Sequence, residues 1–598
     1  MSKIKERRWH QTVCILLAVV LLGALGGCGV ENNENKAHEP LTLCNVNDTI
    51  TPYFLEELHK VHPEIVLDMS YYRGANGSGY TMHTLEQGDI PDVYIATQLF
   101  HPEKQKEYLM DLSGYDFINN YTTTLLNEID NDGGIYLIPC SYQLVGITYN
   151  KTIMDENGWE VPQSLEELEA LAPEIKAAGY DVMRALFTLD GYPFNYFFNL
   201  GNTQYFSTAD GTRWKNDFVQ GKAKASGNEE LLKTVEYFQR WFENGLLTVS
   251  DIDAGNEPEK AFYNGECIFY LSLGIKNYTH TTEDGKTYEF GVIPWLSEDG
   301  NNNMLTQSLT QYFGINKELL EKGNEQKLED ALNLLRFLSS SEGQAALVAE
   351  TANSWLYTSP LVGSAVSEKS PFYPMNDLVI SGNTVPLVYV NWEALIAPMA
   401  KDIKMLIKGE ITPEQLLEEF DKSYVDVMSG GGEEVLAVAK EDMTLEDTVR
   451  LCGIAVGKAV DADATLTSLG GFYVGDKTNR YGVPWYFYAG NVTSEVVNIF
   501  RTRCDTTSVI EMTGAEIKAM AEAGFDLHGN GQPFTYVLTT RGDMELDDEA
   551  VYRLAVGTEE LTAEWKEKAT VVEVSSKQAI IDYVSTLGAF GPEDIIWN

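Results

Sequence analysis

The spacing of apolar residues predicts alternating strands and helices over the first two-thirds of the chain. Short apolar runs typical of buried strands occupy residues 41–44, 65–69 and 92–96. Between the first two runs, apolar residues recur at helical spacing from Thr51 to His62. Another helix is predicted to begin at Ser164, because Glu167 follows at the spacing of a capping box. This alternation predicts α/β architecture for residues 41–428.

The last third of the chain has a more mixed pattern. Helices are predicted over residues 445–460, 514–523 and 575–587, and strands over residues 465–469, 508–512 and 552–556. Thr513 is placed to cap the second of these helices. The glycine-rich stretch at residues 429–432 interrupts both patterns. We therefore expect a linker at 429–433 and a smaller α+β domain at 434–598.

The N-terminal residues predict export and anchoring. Four basic residues precede an apolar run from Val13 to Leu25, which is shorter than the roughly 20 residues that a membrane span needs. The run ends in Leu-Gly-Gly-Cys28, which resembles the lipobox of bacterial lipoproteins. The resemblance implies a signal peptide at 1–27, a lipid on Cys28 and a place on the extracytoplasmic side of the cell membrane. An ordinary signal peptide with a chance cysteine is the alternative. Residues 28–40 are polar and predict a tether.

Composition and charge narrow the function classes. The length of 598 residues suggests two to four domains. Hydrophobic residues make up 44% of the chain, which is enough to form apolar cores. Its formal net charge of −46 makes nucleic acid and anionic membrane surfaces poor partners. Cys44 and Cys267 lie in apolar runs and are expected to be buried thiols. The spacing leaves the pairing of Cys452 with Cys504 open.

An ordered series of short motifs resembles the extracellular solute-binding proteins of ABC importers, especially the sugar and oligosaccharide type. The matching segments are Gly88-Asp89-Ile90-Pro91-Asp92-Val93, Tyr136–Pro139, Gly146–Lys151, Gly158–Leu168, Ala261–Cys267 and Phe290–Pro294. The resemblance implies two α/β lobes joined by crossing strands, with a ligand held between them. It also implies permease subunits as partners, a carbohydrate ligand, no cofactor and a monomeric chain.

Ligand contacts are expected in the loops where this family places its cleft. Sugar rings have apolar faces edged with hydroxyl groups, so aromatic side chains and polar hydrogen-bonding side chains are the relevant types. The predicted ligand-binding residues are Asn47, Asp48, Tyr71, Tyr72, Arg73, Thr97, Gln98, Ser141, Tyr142, Tyr192, Asn195, Trp355 and Trp392. The alternative for each aromatic residue is a place in the core.

The last third resembles the C-terminal domain of 5′-nucleotidases. The matching segments are Asp461–Leu466, Gly470–Tyr473, Gly490–Thr493, Ile499-Phe500 and Val509–Ile517. Phe472, Tyr473 and Phe500 are the aromatic residues that could present a flat surface to a base or a sugar ring. A spacer or docking role for the domain, with these rings in its core, is equally compatible with the pattern.

Departures from the 5′-nucleotidase pattern argue against catalysis. Tyr473 replaces the arginine that helps to bind phosphate in that family, and the closing loop is reduced to Gly588–Pro592. The metal-ligand motif of the catalytic domain is absent from the sequence, so no metal and no enzyme activity are expected. The alternatives are a surface nucleotidase, a lipoprotein that recognises nucleotides or nucleosides through its C-terminal domain, and an adhesion or sensory lipoprotein.

Overall fold

The computed structural model describes residues 38–598 except 75, 189–190, 276, 310, 352, 388–391, 429–434, 471–472, 475–476, 479–481, 501–505, 525–534, 562 and 573. Its strands are β1 Leu41–Val46, β2 Leu67–Tyr72, β3 Val93–Ala96, β4 Ile138–Pro139, β5 Tyr142–Val145, β6 Ile147–Asn150, β7 Asp181–Ala185, β8 Cys267–Leu271, β9 Thr279–Thr281, β10 Thr287–Ile293, β11 Leu305–Ser308, β12 Tyr312–Ile315, β13 Tyr357–Thr358, β14 Thr384–Pro386, β15 Ala437–Ala439, β16 Ala464–Ser468, β17 Tyr473–Val474, β18 Lys477–Thr478, β19 Gly490–Val492, β20 Thr507–Thr513, β21 Tyr536–Thr540, β22 Val551–Gly557, β23 Thr570–Val572 and β24 Ala589–Phe590.

The α-helices, numbered in chain order, alternate with these strands in the first two-thirds of the chain. They are α1 Pro52–Val61, α2 Gly77–Gln87, α3 Pro102–Tyr108, α4 Thr123–Ile129, α5 Lys151–Asn157, α6 Leu165–Ala177, α7 Tyr192–Gly201, α8 Ala209–Val219, α9 Glu229–Glu243, α10 Glu257–Tyr263, α11 Glu325–Leu338, α12 Ser341–Val348, α13 Asn376–Ile380, α14 Glu393–Ile407, α15 Pro413–Met428, α16 Leu445–Ala459, α17 Ser494–Ile499, α18 Gly514–Ala523, α19 Ala563–Lys568 and α20 Ser576–Ser585.

Two five-stranded sheets form the centres of two lobes. Lobe 1 contains the sheet β2-β1-β3-β12-β4, and lobe 2 contains the sheet β7-β8-β6-β10-β9. In lobe 1, β1 lies parallel to both β2 and β3, as expected for strands joined by helices. Each sheet has its own buried apolar core: Phe54 and Phe313 belong to that of lobe 1, and Trp241 and Phe269 to that of lobe 2.

A third, four-stranded sheet of order β13-β5-β11-β14 joins the lobes. The chain passes from β4 in lobe 1 through β5 in this sheet to β6 in lobe 2. It returns from β10 in lobe 2 through β11 to β12 in lobe 1. Gly146 lies between β5 and β6, where an added Cβ would come within 2.4 Å of the Ile293 carbonyl oxygen. Only glycine allows the two crossing segments to approach so closely.

Residues 435–598 form a separate body that packs against lobe 1. Its five-stranded sheet has the order β21-β16-β22-β20-β23, and a second sheet has the order β19-β15-β24. Helix α16 packs on α20 and on β16, and Leu451, Ile454 and Ile580 are buried in the apolar core between them. Ile499, at the end of α17, is buried in the apolar core of lobe 1. The C-terminal body therefore contributes a side chain to that core.

The predicted elements are present, with two differences of detail. The strand predicted at 65–69 is β2 at Leu67–Tyr72, because Ile65 is buried ahead of the strand and β2 is an edge strand whose side chains alternate in exposure. At α6, the Ser164 hydroxyl oxygen accepts a hydrogen bond from the Glu167 amide at 3.1 Å, as predicted. The Glu167 carboxylate, however, accepts one from the Gln163 amide, at 2.7 Å. The reciprocal box occurs at α18, between Thr513 and Glu516.

Candidate functional site

A cleft of about 600 Å³ opens at the edge of the lobe 1 sheet, against the sheet that joins the lobes. It lies beyond the carboxyl ends of β1, β3 and β4, which is where open α/β sheets place their ligands. Its lining is mostly polar and uncharged. The lining residues are Asn47, Asp48, Thr49, Thr51, Asn76, Gly77, Ser78, Thr97, Gln98, Leu99, Glu128, Cys140, Ser141, Gln307, Ser308, Leu309, Gln311, Tyr312, Leu347, Val348, Thr351, Tyr357, Pro386 and Leu387.

The loop after β1 is fixed by a buried asparagine. The Asn45 side-chain amide donates to the Ile50 carbonyl at 2.7 Å and accepts from the Ile50 amide at 2.9 Å. This clasp holds Asn47 and Asp48 at φ values of 55° and 60°, in the left-handed region that asparagine and aspartate tolerate. The Arg73 guanidinium pairs with the Asp48 carboxylate, so the cationic side chain compensates that acidic group at the edge of the cleft.

The start of α2 and the end of β3 supply the next part of the wall. The Asn76 side chain accepts a hydrogen bond from the Gly79 amide at 2.9 Å and caps α2. The Thr97 hydroxyl donates to the Ser78 hydroxyl oxygen at 3.1 Å. Thr97 is only 8% exposed, so this contact fixes its hydroxyl rather than leaving it to solvent.

The opposite wall comes from the crossing segments. The Ser141 hydroxyl donates to the Gln344 side-chain oxygen at 2.9 Å, which ties the end of β4 to α12. The Gln307 side-chain nitrogen donates to the Thr384 hydroxyl oxygen at 2.6 Å, across the pairing of β11 with β14. The Gln307 side-chain oxygen is buried and accepts no hydrogen bond from the described residues. The crossing sheet therefore presents an unused acceptor at the cleft.

Glu128 is a lining residue that the sequence did not reveal. It lies on α4 and is half-buried, and desolvation raises the pKa of its carboxyl to about 8. Gln307 and Tyr357 were missed as well. Tyr357 follows Trp355 by two residues. The sequence therefore identified this segment, but Trp355 was predicted instead of Tyr357, which lines the cleft. Glu128 gave no local signal, because the polar stretch around it resembles any exposed helix face.

The predicted binding residues divide into two groups. Asn47, Asp48, Thr97, Gln98 and Ser141 all line the cleft. Arg73 contacts the cleft residue Asp48 through an ion pair. The Arg73 guanidinium also lies 4.6 Å from the centre of the Tyr71 ring. Their role in binding remains a prediction.

Other predicted residues lie away from the cleft lining. Tyr72 and Tyr142 are buried in apolar cores. Asn195 is buried on α7, and Tyr192 stacks on Tyr196 at 5.7 Å between ring centres. Trp355 packs edge-on to Tyr278.

Two aromatic predictions are corrected by burial. Trp392 is 1% exposed and lies among Phe194, Phe198 and Phe218, so it is a core residue of lobe 2. Phe500 is 2% exposed and packs on Phe487 at 4.2 Å between ring centres. Neither ring can meet a ligand without opening the core. Phe472 and the side chain of Tyr473 lie outside the described residues, as do Cys28 and Cys504. Cys44, Cys267 and Cys452 are buried.

No group of three or more His, Cys, Asp or Glu side chains is placed to hold a metal ion within the described ranges. Across those same ranges, every helix is too short or too polar to cross a membrane.

Two α/β lobes, a connecting sheet and a polar cleft at their junction define a class: receptors that hold a small ligand between lobes. Comparison of the sequence with family models narrows that class. Residues 64–371 match the model of the bacterial extracellular solute-binding proteins. The match covers more than half of the chain, and the chain belongs to that family.

One curated relative and two solved structures illustrate the similarity. The multiple sugar-binding protein of Streptococcus mutans serotype c (strain ATCC 700610 / UA159) is 25% identical over 180 residues. That match covers 28% of this chain and 42% of the relative, so the chain spans about two-fifths of the relative's length.

The structural neighbours share the fold of the two lobes. A family 1 extracellular solute-binding protein from Bifidobacterium longum subsp. infantis superposes with a TM-score of 0.53 at 17% identity, over 65% of this chain and all of the neighbour. The bacterial solute receptor AcbH, described as having an exclusive preference for β-D-galactopyranose, gives a TM-score of 0.51 at 14% identity, over 65% and 98% of the two chains.

Proposed function

We propose that this chain captures a carbohydrate outside the cell and delivers it to the permease subunits of an ABC importer. The cleft carries this proposal. It is bounded by hydroxyl and amide side chains and by the rings of Tyr312 and Tyr357, a combination suited to hydroxyl groups and sugar faces. Its volume, about 600 Å³, is in the ordinary range for small-ligand sites. The sugar-binding relatives support the same ligand class.

Closure of the two lobes is part of the proposed mechanism. The cleft lining comes from lobe 1 and the connecting sheet, while Tyr192 and Asn195 lie on α7 of lobe 2. Hinge motion about the crossing segments would bring lobe 2 towards a ligand that lobe 1 already holds. A permease could then distinguish the loaded receptor from the empty one, because the ligand favours the closed state.

The test is ligand binding by the purified mature chain. A thermal-shift screen of mono- and oligosaccharides, with peptides and nucleosides in parallel, should give a raised melting temperature only with carbohydrates. Calorimetry of the best ligands would then give their affinity. Tight binding of peptides or nucleosides, without binding of any glycan, would refute the proposal.

We also propose that Cys28 anchors the chain to the membrane, that residues 28–40 act as the tether, and that the chain is monomeric. Replacing Cys28 with alanine should release the protein from the membrane fraction and abolish lipid labelling. Unchanged labelling of the variant would exclude this anchor.

For residues 434–598 we propose a non-catalytic domain of the 5′-nucleotidase C-terminal type. Its packing on lobe 1 supports a docking role over catalysis, since Ile499 and Trp485 both contact the lobe 1 core. Recognition of a nucleoside is the alternative. The full chain, incubated with AMP and divalent metals, is expected to release no phosphate. Saturable nucleoside binding to it would favour the alternative.

A further inference from the structure

Two hydrogen-bonding groups in the cleft lack partners among the described residues. Gln307 is 4% exposed, and its side-chain oxygen accepts no hydrogen bond from that part of the chain, although its side-chain nitrogen donates one to Thr384. A buried acceptor without a donor costs free energy, so such groups call for an explanation. At a cleft, a ligand donor supplies one.

Glu128 is the second such group. It lines the same cleft, and no cationic side chain contributes to the shift of its pKa, which desolvation alone raises to about 8. Tyr142 links the two groups. Its pKa is raised by burial first and then by the charge of Glu128, while a hydrogen bond from Gln307 lowers it. Gln307 lies on β11, which pairs directly with β5, the strand that carries Tyr142.

The described lining of the cleft offers no cation to an anionic ligand. Its acidic lining residues in the described part of the chain are Asp48 and Glu128, and none of its described lining residues is lysine, arginine or histidine. Arg73 already pairs with Asp48. A carboxylate, sulfate or phosphate entering the cleft would lose its hydration and find no cation to compensate it.

We infer that Glu128 and Gln307 are specificity-determining residues that accept hydrogen bonds from the hydroxyl or amine groups of the ligand, and that the cleft rejects glycans with anionic groups. The inference rests on the proposed function and names the chemical class of carbohydrate. Neutral and amine-bearing glycans share the donor groups that these two acceptors need. A half-buried carboxyl that has no partner in the described part of the chain is costly for stability, and contact with the ligand accounts for it.

The experiment compares Glu128→Leu and Glu128→Gln with the wild-type chain. Asn127→Leu serves as the matched control, because Asn127 is exposed on the same helix and does not line the cleft. Calorimetry would use neutral gluco-, galacto- and xylo-oligosaccharides, counterparts that carry a glucuronic acid, and counterparts that carry an amino sugar. Melting temperatures without ligand separate weakened binding from misfolding.

The expected results are specific to a ligand contact. Wild-type chain binds the glucuronic acid counterparts at least tenfold more weakly than the neutral glycans. Glu128→Leu binds neutral glycans at least tenfold more weakly, yet melts no lower than wild type without ligand, since it removes a desolvated carboxyl. Glu128→Gln keeps an acceptor and stays within about threefold on neutral glycans. Asn127→Leu matches the wild type.

Two results would overturn the inference and leave the proposed function standing: equal affinity for the neutral and glucuronic acid glycans, or a Glu128→Leu affinity within twofold of wild type. Failure of every glycan to bind the wild-type chain would overturn the proposed function, and the inference with it. When the inference holds, the glycans that carry an amino sugar show which ligand group donates the hydrogen bond. Tighter binding of those glycans than of the neutral ones, lost in Glu128→Gln, assigns it to an amine, and equal binding assigns it to hydroxyl groups.

Discussion

The Tyr72 hydroxyl donates a hydrogen bond of 2.7 Å to the backbone carbonyl oxygen of Ile499, 427 residues further along the chain. Tyr72 ends β2 of lobe 1, and Ile499 ends α17 of the C-terminal body. Nearby, the Tyr488 hydroxyl donates to the Asp89 carboxylate at 2.9 Å, and Trp485 packs edge-on against Tyr80. These contacts attach the C-terminal body to lobe 1, so the two should move together during the proposed closure.

Tyr72→Phe is expected to destabilise this attachment. The substitution removes the donor and leaves the buried Ile499 carbonyl unsatisfied, at a cost of about 1–3 kcal/mol. Denaturant unfolding of the full chain, followed by tryptophan fluorescence, measures the loss. Tyr71→Phe is the matched control, because Tyr71 is only half-buried and its hydroxyl contacts the Met69 sulfur at 3.9 Å. Equal losses in both variants would contradict a special role for Tyr72.

Gly146→Ala tests the crossing between the lobes. The added Cβ would lie 2.4 Å from the Ile293 carbonyl oxygen, closer than packing allows, so the crossing segments must separate. We expect a loss of about 1–3 kcal/mol in unfolding free energy and a changed difference in radius of gyration between the empty and loaded chain. Solution scattering with and without ligand measures the latter. Gly114→Ala is the control, since no atom lies within 4 Å of its added Cβ. A Gly146 variant indistinguishable from it would exclude a steric requirement.

Local sequence patterns predicted the elements well where side chains near in sequence decide the structure. Helix α18 begins and ends where Thr513 and the periodic apolar residues placed it, because capping and spacing are local properties. β2 begins two residues later and ends three residues later than predicted, because pairing with β1, and not the continuous apolar run, sets the bounds of this edge strand.

The cleft was only partly predictable, because several of its residues are brought together by contacts between segments that are distant in the sequence. Asn47 and Thr97 follow strands, and the ends of neighbouring parallel strands meet at one edge of the sheet, so their proximity could be predicted. Glu128 lines the cleft through the packing of α4, and Gln307 does so through the pairing of β11 with β5. Neither contact has a local sequence signal. Trp392 was misassigned because an aromatic residue after an asparagine is equally compatible with core and cleft.

Tyr357 and Trp392 should have opposite phenotypes. Tyr357→Ala removes a ring from the cleft wall and is expected to weaken glycan binding by about tenfold or more, with a small effect on stability. Trp392→Ala removes a core ring and should cost about 3–5 kcal/mol of unfolding free energy. Calorimetry and denaturant unfolding of both variants measure the two quantities. Unchanged affinity in Tyr357→Ala would remove that ring from the binding site.

Glu560 is expected to make stability depend on pH. Its side chain is 4% exposed, it accepts a hydrogen bond from Ser468, and burial raises the pKa of its carboxyl from 4.5 to about 8. Below pH 4.5 the carboxyl is protonated in both the folded and the unfolded chain, so its contribution to stability is fully present. Between pH 4.5 and about 8 the folded chain retains a proton that the unfolded chain has released, so stability falls as pH rises. The slope from this group is at most about 1.4 kcal/mol per pH unit.

Glu560→Gln should therefore flatten the fall in unfolding free energy between pH 5 and pH 8 and should stabilise the chain most at the upper end. The amide can still accept the hydrogen bond from Ser468 but has no proton to release. Denaturant unfolding at several pH values, followed by a probe in residues 435–598, measures the effect. Glu559→Gln is the matched control, because the neighbouring Glu559 side chain is 51% exposed and pairs with Lys566 at the surface. If the two variants show the same pH dependence as the wild type, Glu560 does not hold the proton that burial predicts.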